Sequence, residues 1–240
     1  MKMANGAVNQ HISKQFDDEL ENVRAKVLAM GGLVEQQLNN ALKSLIDGDI
    51  DLGKAVIETE VQVNSYDVSI DQECTKILAR RQPAASDLRL VMAITKTITD
   101  LERVGDEAEK IAKMGLELTD KHGPKSYYVG INAMGNLVSR LLHEALDAFA
   151  RVDSKRAVEV ASKEIESDDQ YVAILRQLIT YMMEDARNIS GALDAVWVAR
   201  ALERIGDHSR NICENIIYLV EGHDVRHTSI KYMEQIVSNQ

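Results

Sequence analysis

The stretch LERVGDEAEKI at residues 101–111 is matched by LERIGDHSRNI at residues 202–212. Six of the eleven positions are identical: Leu101/Leu202, Glu102/Glu203, Arg103/Arg204, Gly105/Gly206, Asp106/Asp207 and Ile111/Ile212. The copies lie 101 residues apart in a chain of 240, a little under half its length. A long-period repeat fixes architecture before any local detail does, so the chain reads first as a duplicated unit. Upstream the repeat continues at an offset of 104: Ala41-Leu42 and Leu45 match Ala145-Leu146 and Phe149, Asp49 matches Asp153, Val56 Val160, Glu60 Glu164, and Ile70 Ile174. The fall from 104 to 101 places three extra residues in the first copy near 80–86, as a loop tolerates.

Each copy reads as helix. The chain has only 2 prolines and 13 glycines, and long segments lack breakers. From about 12 to 47, apolar residues recur at helical spacing: Phe16, Leu20, Val23, Val27, Met30, Val34, Leu38, Leu42 and Leu45. Asp47-Gly48-Asp49 is a turn. A second helix spans about 51 to 79 and closes at Arg80-Arg81-Gln82-Pro83, because proline disfavours helical geometry in the residue before it. Ser86 is the expected N-cap of a third helix, with Leu88, Val91, Thr95, Ile98, Leu101 and Ala108 inward. His122-Gly123-Pro124 is the strongest break, and the repeat boundary is placed there. A fourth helix is expected over about 128–151, a fifth over 154–185 and a sixth over 190–221, capped by Gly222. Residues 1–10 read as disordered, and the last eighteen as a tail with a short helix. The expected fold is all-α: six long helices in two tandem, pseudo-symmetric three-helix bundles, residues 1–121 and 122–240.

Composition excludes several function classes. A net charge of −10 argues against general nucleic-acid binding, which needs a basic face to displace counterions. No apolar run approaches the about 18 residues of a spanning helix, and MKMANGAVNQ has no signal-peptide core. Cys74 and Cys213 belong to no CxxC pattern and read as reduced thiols. The expected location is cytoplasmic.

The chemistry lies in the repeated carboxylates. Glu102 and Asp106 are four apart on a helix, which puts their Cβ atoms about 5–6 Å apart on one face, and Glu203 and Asp207 repeat the pair. Such a pair can hold a cation or bridge two; a network of salt bridges to neighbouring helices fits the same spacing. Arg103 and Arg204 project about 100° away and are expected to be poor partners for their own glutamates. On the second helix of each half, Glu60 and Asn64 match Glu164 and Asp168, and the last two of these form another carboxylate pair. Asn64 and Asp168 interrupt apolar stripes, Val61 and Val68 in one copy, Ile165 and Val172 in the other. All-oxygen donors suit iron, magnesium or manganese, and also admit zinc. Gly105 and Gly206 are mid-helix, each costing about 1 kcal/mol against alanine, and read as points of close helix approach. His208 reads as solvated, and Arg80-Arg81 as cations complementing a helix C-terminus or, as the alternative, binding an acidic partner.

LERVGDEA and LERIGDHSRNICE, with RRQPAASDLRLVMAI and the duplicated helical unit, closely resemble the PhoU family of bacterial phosphate-uptake regulators. The resemblance covers nearly the whole chain, and two ExxxD motifs, one per half, are specific in combination. It implies paired three-helix bundles and a non-enzymatic negative regulator of phosphate-responsive genes. Such a protein would act as an adaptor between the ATPase subunit of a phosphate ABC transporter and a sensor histidine kinase. It also implies iron or zinc clusters on the motif carboxylates, here Glu102, Asp106, Glu203 and Asp207, none of them required for the fold. Asn64 departs from the acidic pattern seen at Asp168. A homodimer, attached to the membrane only through partners, completes the expectation. Two other classes compete. A di-metal carboxylate enzyme of the bundle type uses Glu-x-x-His motifs, and no glutamate lies three residues before any of the 6 histidines. A plain structural bundle that dimerises is the other.

Overall fold

Breaker-free amphipathic segments of this length bury one face only by packing on one another. The computed structural model describes residues 14–121 and 127–238, and among them every regular element is helical. The first half comprises α1 (Lys14–Asp47), α2 (Ile50–Arg81) and α3 (Ala85–Lys121). The second comprises α4 (Tyr127–Arg151), α5 (Ser154–Lys163), α6 (Ile165–Glu184) and α7 (Ile189–Glu221), with a single 3-10 turn, Ala186–Asn188, before α7. A short α8 (Ile230–Ser238) follows. The expected disorder of residues 1–10 and the break at His122-Gly123-Pro124 lie outside the described residues.

The fold class is as expected, with two local corrections. The fifth helix is divided in two at Glu164. There the Ser167 N–H bonds the Glu164 carbonyl only three residues back (2.8 Å), and the Ser162 and Ser167 hydroxyls donate to the carbonyls of Glu159 and Glu164. Serine hydroxyls bonding back to the backbone compete with the helical ladder and bend it. Ser86 is not the N-cap of α3: the Ala84 carbonyl takes the Asp87 and Leu88 amides, so the helix begins at Ala85 and Ser86 lies in its first turn. Gln82, left-handed at φ 47°, ends α2 so abruptly that α3 starts at once beyond Pro83. Leu88 is consequently exposed rather than inward. Gly222 caps α7 as expected, at φ 74°, its amide bonding the Tyr218 carbonyl.

The duplication is visible in three dimensions. A methyl group at Gly31 of α1 would lie 2.7 Å from Leu146 Cδ2 of α4, and one at Gly135 of α4 would lie 2.6 Å from Leu42 Cδ2 of α1. Gly31 and Gly135, like Leu42 and Leu146, are equivalent at the offset of 104, so this helix crossing is reciprocal. The helix-entry turns also repeat. Asp49 accepts from the Leu52 amide at 3.0 Å, and Asp153 from the Arg156 amide at 2.9 Å. The residue before each is left-handed, Gly48 at φ 70° and Val152 at φ 55°. For a β-branched residue that conformation costs about 1–2 kcal/mol, whereas glycine adopts it freely. Part of the gain from Val152→Gly returns to the unfolded chain as entropy. The expected outcome is a protein more stable by roughly 1 kcal/mol, seen as a higher urea midpoint at unchanged slope. A lower midpoint would mean the Val152 side chain contributes packing that outweighs the strain.

Buried residues of both halves form one continuous core, and the halves meet chiefly along α3 and α7. Polar ties cross that seam. Arg204 lies 3.3 Å from the buried carboxylate of Glu107, and Asp100 accepts from His208 Nδ1, Asn211 and Asn215. His208 is therefore largely buried and partnered, not solvated as expected. No helix among the described residues is long and apolar enough to cross a membrane.

Candidate metal centre

In the second half three helical segments bring acids together. Glu164 sits at the break between α5 and α6, Asp168 one turn further on, and Asp207 on α7. One oxygen from each of the three lies within 4.8 Å of the others. Gly206 permits this approach: a methyl group there would be 2.6 Å from Ser167 Oγ and 4.0 Å from Glu164 Cγ. Glu203, one turn before Asp207, adds a fourth carboxylate whose field reaches the same acids.

The carboxylates lack enough partners. Glu164 is buried; one oxygen accepts from Arg210 at 3.2 Å and the other has no hydrogen-bond partner. Glu203 is bonded by Arg200 through one oxygen, and its second is buried and unpartnered. Burial, with Asp168 alongside, pushes the Glu164 and Asp207 carboxyls above the ordinary range; burial and Asp207 do the same to Glu203. Buried carboxylate oxygens without a donor are costly, and a cation is the partner that satisfies several at once. The donor set fits an oxygen-ligated divalent or trivalent ion.

The first half is built differently. Gly105 again lets the second helix approach, since a methyl group there would lie 2.9 Å from Glu60 Oε2. That oxygen, however, accepts from Gln37 at 2.8 Å, and the second half has Leu141 where the first has Gln37. The other Glu60 oxygen is buried without a partner. Asn64 is exposed. Glu102 and Asp106 are held by Arg103, at 3.4 and 3.3 Å. This overturns the expectation that Arg103 points away: its long side chain lies back along the helix face to reach both. Arg204 does leave its own glutamate, for Glu107. Among the described residues only Glu164, Asp168 and Asp207 form a three-ligand cluster.

The stripes around Asn64 and Asp168 are also corrected. Val61 is 72% exposed, Val68 54%, Ile165 61% and Val172 42%. The buried faces of α2 and α6 are instead those of Val63, Ile70 and Ile77, and of Ser167, Ile174 and Leu178. Arg200 and Arg210, three residues either side of Glu203 and Asp207, were legible as neighbours on the same helix face but were not singled out. Arg81 also does more than offset a helix dipole, clamping Glu19 of α1 with two hydrogen bonds.

These shifts have a sign. Glu60, Glu102, Glu164, Glu203 and Asp207 all sit above their ordinary values, first because of burial. Such groups contribute stability that is complete below the ordinary carboxylate range and is lost as pH rises through their raised values. The metal-free protein is therefore expected to melt at a higher temperature in mildly acidic buffer than at neutral pH. The opposing loss comes lower: Asp224, held down to about 2 by Arg226, gives up its contribution as pH falls from its ordinary value toward that figure. A melting temperature that rises steadily from mildly acidic to neutral pH would contradict this assignment.

The PhoU domain model matches residues 27–114 and 131–216, one match per half. The phosphate-specific transport system accessory protein PhoU homolog of Pseudomonas aeruginosa is 50% identical over 233 residues, 97% of this chain and 96% of its own length. A crystal structure of PhoU from Pseudomonas aeruginosa superposes with a TM-score of 0.85 at 51% identity, covering 87% of this chain and 100% of that one. The phosphate transport system regulatory protein PhoU from Streptococcus pneumoniae gives 0.81 at 31% identity, covering 88% of this chain and 99% of that one. With a matched domain in each half and half of all residues shared along nearly its whole length, the chain belongs to the PhoU family.

Proposed function

We propose that this protein is a non-enzymatic accessory protein of a phosphate-specific transport system. It represses phosphate-responsive genes by linking the transporter's ATPase subunit to a sensor histidine kinase in the cytoplasm. The observation that carries the reading is near full-length likeness, at about half identity, to a protein named for that accessory role. Relatives named as accessory or regulatory, rather than for a reaction, support the non-enzymatic part. The two repeats, 1–121 and 122–240, supply two comparable bundles, and the active form is a homodimer.

Metal belongs to the same reading. Glu164, Asp168 and Asp207, with Glu203 beside them, would hold iron or zinc, or magnesium or manganese in their place. Supporting it are the convergence of the three acids and the unpartnered buried oxygens of Glu164 and Glu203. A bound cation supplies positive charge to the site; the chain's own part is to hold α6 against α7 through Gly206 and to offset charge through Arg200 and Arg210. Glu60, Asn64, Glu102 and Asp106 form the weaker counterpart. The test is recovery of partners from cells on the tagged full-length chain, washed at moderate salt. Contacts made by shape survive such a wash, whereas charge steering is screened beyond about 8–10 Å. Recovery of neither the ATPase subunit nor the kinase refutes the adaptor reading.

A further inference from the structure

Asp168 of α6 and Asp207 of α7 meet at the surface, and from there the two helices run side by side to the Ala186–Asn188 turn. Ser167 against Gly206, the Arg200 guanidinium on the Tyr171 ring and the Asn188 side chain on the Tyr181 carbonyl set an antiparallel register. In that register Ile179 is level with Leu193, and Met183 with Ile189. Val172 and Ile179 stand four and eleven residues after Asp168; Leu193 and Ile189 stand fourteen and eighteen before Asp207. Those spacings are whole helical turns, so the four side chains share the face on which the two aspartates emerge. Met183 and Trp197 flank them on the outer side of each helix. All six are exposed, Met183 at 83% and Trp197 at 64%.

The repeat shows that this face is not a requirement of the scaffold. At the offset of 104, Ile179 and Met183 match Thr75 and Ala79, and at the offset of 101 Trp197 matches Lys96. Val68, Leu88 and Met92 keep the first half partly apolar there, but the full face occurs once in the chain. From Val172 to Met183, α6 rises about 17 Å, and two packed helices are about 20 Å across, so the face covers roughly 350 Å² in projection. An apolar patch of that size on a single chain is often functional.

We propose that a second copy of this chain covers the face, α6 and α7 of one copy packing on α6 and α7 of the other about a twofold axis. The proposal rests on the homodimer of the reading above and assigns its interface. A standard interface takes about 800 Å² of accessible surface from each partner, as an apolar core inside a polar rim. Side-chain relief and the rim bring a projection of roughly 350 Å² to that scale. One such face per chain closes a pair, because a twofold axis sets the same patch against itself. Two antiparallel helices meeting two more make a four-helix bundle, the ordinary way for such a face to be buried. A lone helix from another protein would cover only the seam between α6 and α7. An anionic lipid surface is repelled by a chain of net charge −10 with Asp168 and Asp207 at one end of the face. Trp197 is of the residue type that dominates interface energetics.

The test is sedimentation of the full chain, freed of metal, over a range of concentrations. It is run beside the emission of Trp197, the chain's single tryptophan. A dimer with a Kd of about 1 μM or tighter is expected. On dilution through that Kd, Trp197 emission should move to the red and become open to acrylamide. Trp197→Glu should weaken the dimer about thirtyfold or more, as loss of a central anchor does, and Leu193→Glu should do the same. Val61→Glu with Val68→Glu, on an exposed stripe of the first half, should change nothing. Melting curves verify that each variant is folded; if one is not, the other and the parent's emission decide. A chain monomeric at tens of micromolar would overturn the homodimer and this interface together. A dimer whose Kd is unchanged in Trp197→Glu and Leu193→Glu, or whose emission ignores dissociation, would overturn the interface alone.

Discussion

Cells lacking this protein are expected to express phosphate-starvation genes in abundant phosphate. An adaptor's output is a change in the state of another protein, so its loss shows without any substrate being turned over. If it biases the kinase between two signalling states with a coupling free energy of about 1–3 kcal/mol, its removal changes reporter output by roughly 5–150-fold. The bias can act only through differential contact with the two states, since a partner that binds both equally shifts nothing. The measurement is a phosphate-regulon reporter in a deletion strain grown in high phosphate, with the gene restored in parallel. Repression that stays normal in the deletion strain would return this protein to the class of helical bundles without a signalling role.

The second large effect is on metal and stability together. The site in the second half has two unpartnered buried oxygens and three converging acids in the folded chain only. A cation that binds the folded state alone, at about 100 times its Kd, stabilises the protein by about 2.7 kcal/mol, and for a chain of this size that raises Tm by about 5–10 °C. Asp168→Asn combined with Asp207→Asn should abolish both the metal content and the rise in Tm. Metal-free, the double variant should melt no lower than the parent, because it removes like charges that oppose folding. Glu102→Gln with Asp106→Asn should leave most of the metal in place, since Arg103 already occupies those carboxylates. Elemental analysis of protein purified without chelators gives the content. Unchanged metal in the Asp168/Asp207 variant would sink the assignment, and the pair Glu203→Ala and Asp207→Ala tests the fourth carboxylate in the same way.

The residues that mark the centre were legible because helix geometry is local. Spacing alone put Glu102 with Asp106, Glu203 with Asp207 and Glu164 with Asp168, and a glycine in the middle of a breaker-poor helix announced close approach. Gly105 and Gly206 do face Glu60 and Ser167 at distances that leave no room for a methyl group. What spacing could not tell was which carboxylates already had partners. Arg103 has a stem long enough to reach across 100° of helix, and whether it does so depends on what else is near. His208 looked solvated because its partner, Asp100, is 108 residues away on α3.

The duplicated sequence by itself determined the number of halves, the helical class, the turns at Asp49 and Asp153, and the carboxylates that could meet. Those follow from periodicity, capping and repetition, which act over a few residues. Only the tertiary structure decided that the two halves are chemically unequal. Gln37 reaches Glu60 across the first bundle, whereas the second has Leu141 at that position, and there Glu164, bonded by Arg210 through one oxygen, converges with Asp168 and Asp207. It also decided that α3 and α7 share a seam crossed by polar ties, Arg204 to Glu107 and His208, Asn211 and Asn215 to Asp100. The reason is physical: a carboxylate's free energy depends on every donor, charge and water within several ångströms, and in a helical bundle most of those come from helices distant in sequence.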